Sequence, residues 1–217
     1  MTMSKHARKL GFCIVLLITG ILVLSGCGES AAGAQKAVDR PAYLDELRGA
    51  VFDPPRALSD FSFASTTGEP FTLSAHRGEV ILIYFGYRAC PDFCPTTFAE
   101  LKRVYAALDE PSDRLKIAFV TVDPERDTLE YLAAYTAVFH RDFMALREEG
   151  EKLQVLMDQF GVVAEKVQLG ESAMSYLMDH TASLFLIGPD GRLQAQYLYG
   201  TDHRDIIHDL ELILGAI

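Results

Sequence analysis

Two thiols separated by three residues are the sharpest chemical feature of this chain. Cys90 and Cys94 lie in the run Gly86-Tyr-Arg-Ala-Cys-Pro-Asp-Phe-Cys-Pro95. At i and i+4, both sulfurs face one side if the loop curls into the first turn of a helix. The start of a helix presents unpaired N–H groups and the positive end of its dipole, which favour thiolate over thiol and lower the pKa from about 8.5. A pair of thiolates has two uses: it closes a disulfide or it holds a soft metal. The cysteines alone do not separate these. With three residues between them, Pro91 and Phe93 included, the loop is less constrained to a fixed disulfide and better able to spread two sulfurs around an ion.

The chain holds four cysteines, and the N-terminus removes two from consideration. Lys5, Arg8 and Lys9 precede an apolar stretch from Leu10 to Leu24, the charge and length pattern of a secretory signal and short of the ~20 residues of a spanning helix. It ends in Leu24-Ser-Gly-Cys27, which looks like a bacterial lipobox with Cys27 lipidated and first in the mature chain. Residues 1–26 are then a lipoprotein signal peptide that carries Cys13 away; the plainer alternative is a simple secretory signal or an N-terminal membrane anchor. Cys90 and Cys94 are left as the free thiols, in an extracytoplasmic compartment where disulfides persist. Losing Lys5, Arg8 and Lys9 takes the formal charge from −10 to −13. No basic patch of the kind that binds nucleic acid is present, which sets that class aside.

The elements around the thiols read as follows. Residues 27–57, with Pro41, Pro54 and Pro55, form a tether that is partly ordered near its end, and the compact domain spans 58–217. Asp60–Phe63 and Pro70–Leu73 make a hairpin. Val80–Phe85 is a wholly apolar strand covered on both faces, and Leu115–Val122 is a second. A helix leads out of the thiols with Phe98, Leu101, Val104, Tyr105 and Leu108 on one face. Asp127 caps a further helix. Leu153, Leu156, Met157 and Phe160 mark another, stopped by Gly161. Val162–Leu169 is a strand. Thr181–Ile187 and Leu193–Tyr199 pair across Gly188-Pro-Asp-Gly191, and a last helix buries Ile206, Leu210, Ile213 and Leu214. That order predicts an α/β fold, a central mixed sheet flanked by helices with an N-terminal hairpin, and it resembles the thioredoxin-like layout with reactive thiols opening a helix after the first buried strand.

His180 sits at the entry to the strand Thr181–Ile187. Thioredoxin-like oxidoreductases place a proline there against the reactive cysteines, yet no proline occurs between Pro124 and Pro189. Two thiolates and one imidazole suit Cu(I), which takes soft ligands at low coordination. Zinc competes, but usually takes a fourth ligand in a closed site. His76, His140, His203 and His208 read as ordinary surface or packed histidines. Met174 and Met178, four apart beside His180, carry thioethers that could add to a copper site, but read first as packing residues.

The chain resembles the Sco/SenC family of copper chaperones for cytochrome c oxidase assembly. The matching stretches are Gly78-Glu-Val-Ile-Leu-Ile-Tyr-Phe-Gly-Tyr87, Cys90-Pro-Asp-Phe-Cys-Pro-Thr96, Val122-Asp-Pro-Glu-Arg-Asp-Thr128, Asp179-His180 and Leu186-Ile-Gly-Pro-Asp-Gly191. The resemblance implies a thioredoxin-like fold and copper, as Cu(I) with Cu(II) left open, on Cys90, Cys94 and His180. It implies a membrane-anchored extracytoplasmic protein serving the CuA-bearing subunit of the oxidase, alongside other periplasmic copper chaperones or thioredoxin-like reductases. Asp123 matches a family acidic residue near the site, although turn formation explains Asp-Pro equally well. The chain departs from the family at Ala145-Leu-Arg-Glu-Glu-Gly150, where a Gly-Leu-Thr-Gly-like stretch is expected, and at Ala89, where many members carry a larger polar residue.

A second function stays open. Cys90 and Cys94 alone would suffice for a thiol-disulfide oxidoreductase that reduces the CuA-site cysteines, with Cys90 as nucleophile on the more exposed part of the loop. A peroxidase of the peroxiredoxin type fits poorly, because Thr96 and Thr97 follow the pair rather than precede it.

Overall fold

The computed structural model describes residues 40–108, 114–172 and 175–217. In chain order the strands are β1 (Ala50–Arg56), β2 (Ser62–Ser65), β3 (Phe71–Thr72), β4 (Val80–Gly86), β5 (Leu115–Thr121), β6 (Met144–Arg147), β7 (Ala164–Gln168), β8 (Tyr176–His180), β9 (Leu184–Ile187) and β10 (Leu193–Tyr197). The helices are α1 (Phe93–Ala107), α2 (Leu129–Phe139), α3 (Glu151–Phe160) and α4 (His203–Gly215). Eight strands form a mixed sheet in the order β1-β10-β9-β4-β5-β6-β2-β3, and β7-β8 form a separate two-stranded ribbon.

The all-apolar run at residues 80–85 dictates the centre. Every residue of β4 is buried, as a strand covered on both faces must be. It runs parallel to β5, from Val80 opposite Leu115 to Gly86 opposite Thr121, and antiparallel to β9. Successive side chains on β4 point to opposite faces, and the aromatic contacts show what covers each. Tyr84 meets Phe98 of α1 at 6.1 Å between ring centroids. Phe85 meets Phe160 of α3 at 5.2 Å. Phe98 also packs on Tyr135 and Phe139 of α2, so α1 and α2 share one face and α3 covers the other. This is the thioredoxin-like, helix-flanked mixed sheet that the element order predicts.

The predicted helices of residues 151–160 and 203–215 stand as expected, with Leu153, Leu156, Met157, Phe160, Ile206, Leu210 and Ile213 buried. Leu214 is only partly buried against the core, and Gly161 closes α3 in the left-handed region at φ 69°. Other expectations shift. Residues 50–56, assigned to the tether, form an edge strand on β10, and Pro54-Pro55 is tolerated there because the pairing register breaks between Val51 and Arg56. Thr128 caps α2 by accepting from Tyr131 N–H, and Asp127 does not. Residues 144–147, within and beside the stretch where the chain departs from the family pattern, are strand β6, parallel to β5. The predicted strand Thr181–Ile187 begins only at Leu184, and residues 176–180 make a strand of their own.

The segment before β1 is locked by Asp209 of α4, a wholly buried carboxylate. It accepts from the backbone N–H of Arg48 at 2.8 Å, from that of Gly49 at 2.9 Å and from the Tyr197 hydroxyl at 3.0 Å. Asp209→Ala strands three donors in a water-poor site. It should cost on the order of 3 kcal/mol, lowering Tm by roughly 6–12 °C in a thermal melt of the purified protein.

Candidate metal centre

Three elements that meet at the carboxyl end of β4 bring Cys90, Cys94 and His180 together. Their ligand atoms all lie within 4.8 Å of one another, the one such group of three or more Cys, His or acidic residues among the described residues. Cys94 is the second residue of α1 and wholly buried, whereas Cys90 lies on the loop before it and keeps 9% of its surface. His180 is the last residue of β8, so the imidazole arrives on the ribbon and not on the main sheet.

Each donor is fixed by its neighbours. Cys94 Sγ lies 3.6 Å from His180 Nε2 and 3.9 Å from the Tyr84 hydroxyl. Room for the sulfur comes from Gly86, where a Cβ would stand 2.7 Å from it. His180 Nδ1 faces the carbonyl oxygen of Thr181 at 3.2 Å. With the proton on Nδ1 and donated there, the Nε2 lone pair faces the sulfurs, the usual orienting device for a ligating imidazole. The rings of Tyr84 and Tyr87 stand nearly perpendicular to the imidazole at 6.1 and 5.8 Å, walling it from two sides.

The two thiols are electrostatically unequal. The Cys94 thiol donates to the Cys90 sulfur, and the His180 imidazole and then the backbone N–H groups of Cys94 and Asp92 at the start of α1 add to that stabilisation of the thiolate. Against the cost of partial burial, the Cys90 thiol is pulled down to about 3. Sharing its proton with Cys90 and lying deeper in the protein, Cys94 is pushed far up. One negative charge therefore rests at Cys90, the less deeply buried of the pair.

Asp123 is engaged elsewhere. Its Oδ1 accepts from the Tyr176 hydroxyl at 2.7 Å and its Oδ2 from Arg126 Nε at 2.5 Å. The Arg126 guanidinium in turn lies over the Tyr176 ring at 3.6 Å and beside Tyr87 at 5.7 Å. Asp123 thus braces the Tyr87 wall and does not join the donor group. Met178 belongs to strand β8 and is buried. Met174 and Cys27 lie outside the described residues. His76, His140, His203 and His208 pair with Glu79, Asp142, Glu100 and Asp209, away from the sulfurs. Sequence reasoning missed Tyr84 and Tyr87 as walls of the site. Their one signal is position, at the end of the apolar strand that leads into the thiols.

The sequence model of the family described as SCO1/SenC matches residues 52–215. A SCO2-like protein of Rickettsia prowazekii is 31% identical over 147 residues, covering 68% of this chain and 72% of its own. Among solved structures, apo Sco1 of Thermus thermophilus superposes with a TM-score of 0.68 at 34% identity, covering 76% of this chain and 96% of that one. Bradyrhizobium japonicum ScoI with copper bound gives 0.66 at 30% identity, with coverage of 71% and 98%.

The charge asymmetry fixes a chemical expectation. A thiolate above about pH 3 makes alkylation of Cys90 nearly level between pH 5 and pH 8, where an ordinary cysteine gains about tenfold per unit below its pKa of ~8.5. Cys94 stays unmodified in the folded protein. Mass spectrometry after timed iodoacetamide exposure reads both. Gly86→Ala, which sets a methyl against the Cys94 sulfur and the Phe119 ring, should destabilise by about 1–3 kcal/mol in denaturant melts and open Cys94 to alkylation.

Proposed function

The chain belongs to the SCO1/SenC family, and from that premise we propose that it binds copper through Cys90, Cys94 and His180 and delivers it to the CuA centre of cytochrome c oxidase. The observation that carries this reading is the convergence of two sulfurs and one imidazole nitrogen within 4.8 Å. That donor set fits Cu(I): two soft thiolates and one borderline nitrogen at low coordination number, with the imidazole already oriented by Thr181. Cu(II) is the second state such a site would support. Copper is cargo here. An incoming thiolate of the CuA-bearing subunit displaces the ligands one at a time, starting at Cys90, the more exposed sulfur. His180 is the ligand that distinguishes holding metal from exchanging disulfides.

The same asymmetry supports a second reading, reduction of the CuA-site cysteines. The Cys90 thiolate attacks one sulfur of a partner disulfide, forming a mixed disulfide and releasing a partner thiolate. Cys94 gives its proton to that released thiolate, attacks the Cys90 sulfur, closes the Cys90–Cys94 disulfide and releases the second partner thiolate. Two electrons pass to the partner. Copper and a disulfide exclude each other at one pair of sulfurs, so the two roles would alternate. Re-reduction falls to a thioredoxin-like reductase, and copper loading to another periplasmic chaperone.

The setting is extracytoplasmic. Lipid on Cys27 anchors the protein to a membrane, and the residues between it and residue 40 tether the domain. Among the described residues no helix is long and apolar enough to cross a membrane. No role with nucleic acid is proposed.

His180→Ala separates the two readings. It should weaken Cu(I) binding by about 100-fold or more, since even outer-shell partners of ligands are worth 10–100-fold, and abolish the wild-type Cu(II) spectrum. Disulfide exchange with a peptide carrying the CuA-site cysteines should survive. Unchanged Cu(I) affinity in competition with a chromophoric chelator would overturn the three-ligand site.

A further inference from the structure

Of the three candidate ligands, only Cys90 lies outside regular structure. Cys94 is placed by α1 and His180 by β8. Where Cys90 sits depends on how the chain turns after β4 ends at Gly86. The Cys90 N–H donates to the Tyr87 carbonyl at 3.2 Å, closing a four-residue turn with Arg88 and Ala89 at its centre. In such a turn the N–H of the second residue points away and is free to be taken from outside. Asp127 takes it: Oδ2 accepts from Arg88 N–H at 3.0 Å.

Asp127 is wholly buried and well held. The same Oδ2 accepts from the hydroxyl of Thr121, the last residue of β5, at 2.7 Å, and the Asp127 N–H donates to the Asp123 carbonyl at 3.0 Å. Arg147 Nε of β6 donates to the Asp127 carbonyl at 2.9 Å. Thr121 lies opposite Gly86 in the sheet, so the clamp refers the turn back to the strand it left. Burial opposes the charge on Asp127, the Arg88 guanidinium comes no closer than 3.7 Å, and Oδ1 is buried with no hydrogen-bond partner. Thr128 already caps α2. Neither capping nor packing accounts for a carboxylate here; its two side-chain bonds, to the Thr121 hydroxyl and to the turn, do.

We propose that Asp127 is a positioning residue for the metal site, holding the backbone of the Tyr87–Cys90 turn so that the Cys90 sulfur stands at ligand distance from Cys94 and His180. The proposal rests on the reading of those three residues as copper ligands. Released from the clamp, Cys90, already in hydrogen-bond contact with Cys94, would no longer be held where it meets His180 as well. The loosened loop binds metal less well and closes its disulfide more readily.

The test compares variants of the full-length protein by Cu(I) competition titration with a chromophoric chelator, by the Cu(II) charge-transfer spectrum, and by the thiol–disulfide equilibrium of the metal-free protein in glutathione buffers. Asp127→Ala should lower Cu(I) affinity about tenfold or more, alter the spectrum and shift the equilibrium toward the disulfide. Asp127→Asn, which keeps one carbonyl oxygen for the turn, should restore most of the affinity. Arg88→Pro removes the clamped N–H at a turn position that proline commonly takes, and should reproduce the loss. Arg88→Ala keeps the N–H and should not. Leu44→Ala, a buried residue packed near α4, controls for lost stability and should leave all three readouts unchanged. Should Asp127→Ala fail to fold, the Arg88 pair carries the test. Wild-type affinity and disulfide equilibrium in Arg88→Pro would overturn the clamp. Wild-type protein that fails to bind Cu(I), or binds it equally in His180→Ala, would overturn the ligand reading instead.

Discussion

The whole site depends on one steric constraint: a sulfur atom must fit where the central strand ends and a helix begins. Cys94 is buried under the first turn of α1, and the space it fills exists because residue 86 has no side chain. Burial of the sulfur requires β4 to end there, α1 to start within a few residues, and the intervening turn to carry the other sulfur outward. The protein interior cannot absorb a methyl group at such a point without moving its neighbours. The tight packing of Tyr84, Phe98 and Phe119 is thus the frame that sets the depth of one sulfur relative to the other.

From that depth difference follows the inequality of the thiols. Both share one proton, and the competition is decided by what surrounds each sulfur. Cys90 has backbone N–H groups at the start of a helix, where a negative charge is stabilised. Cys94 has a tyrosine hydroxyl, one backbone N–H and a larger cost of burial. The imidazole then completes the group from a third direction, on an element that shares no strand with the main sheet. Three independent pieces of backbone, a turn, a helix and a ribbon, each deliver one donor.

What the sequence made legible was what periodicity and chemistry both mark. The run Val80–Phe85 is apolar at every position and could only be a covered strand. Leu153, Leu156, Met157 and Phe160 repeat at helical spacing and are buried as that spacing implies. Cys90, Cys94 and His180 were recognisable by residue type, by the absent proline before β9 and by the resemblance to the Sco/SenC family. Strand β6 was hidden because it is four residues long and ends in Arg147, whose side chain holds backbone carbonyls of the 124–127 loop. Strand β1 was hidden by two prolines that an edge position tolerates. Strand β7 was legible within Val162–Leu169, whereas its partner β8 was hidden because it is five residues long and ends in the polar pair Asp179-His180. Asp127 was misread as a cap because capping depends on local sequence, whereas its actual partner, the Arg88 N–H, is 39 residues away in the chain.

The ribbon has a consequence for how such a site could be built or rebuilt. Its register is set within itself, from Ala164 opposite His180 to Gln168 opposite Tyr176, and its outer strand faces solvent. A histidine delivered this way is a detachable module: shortening, lengthening or retwisting the ribbon would move the imidazole while the thiols keep their places.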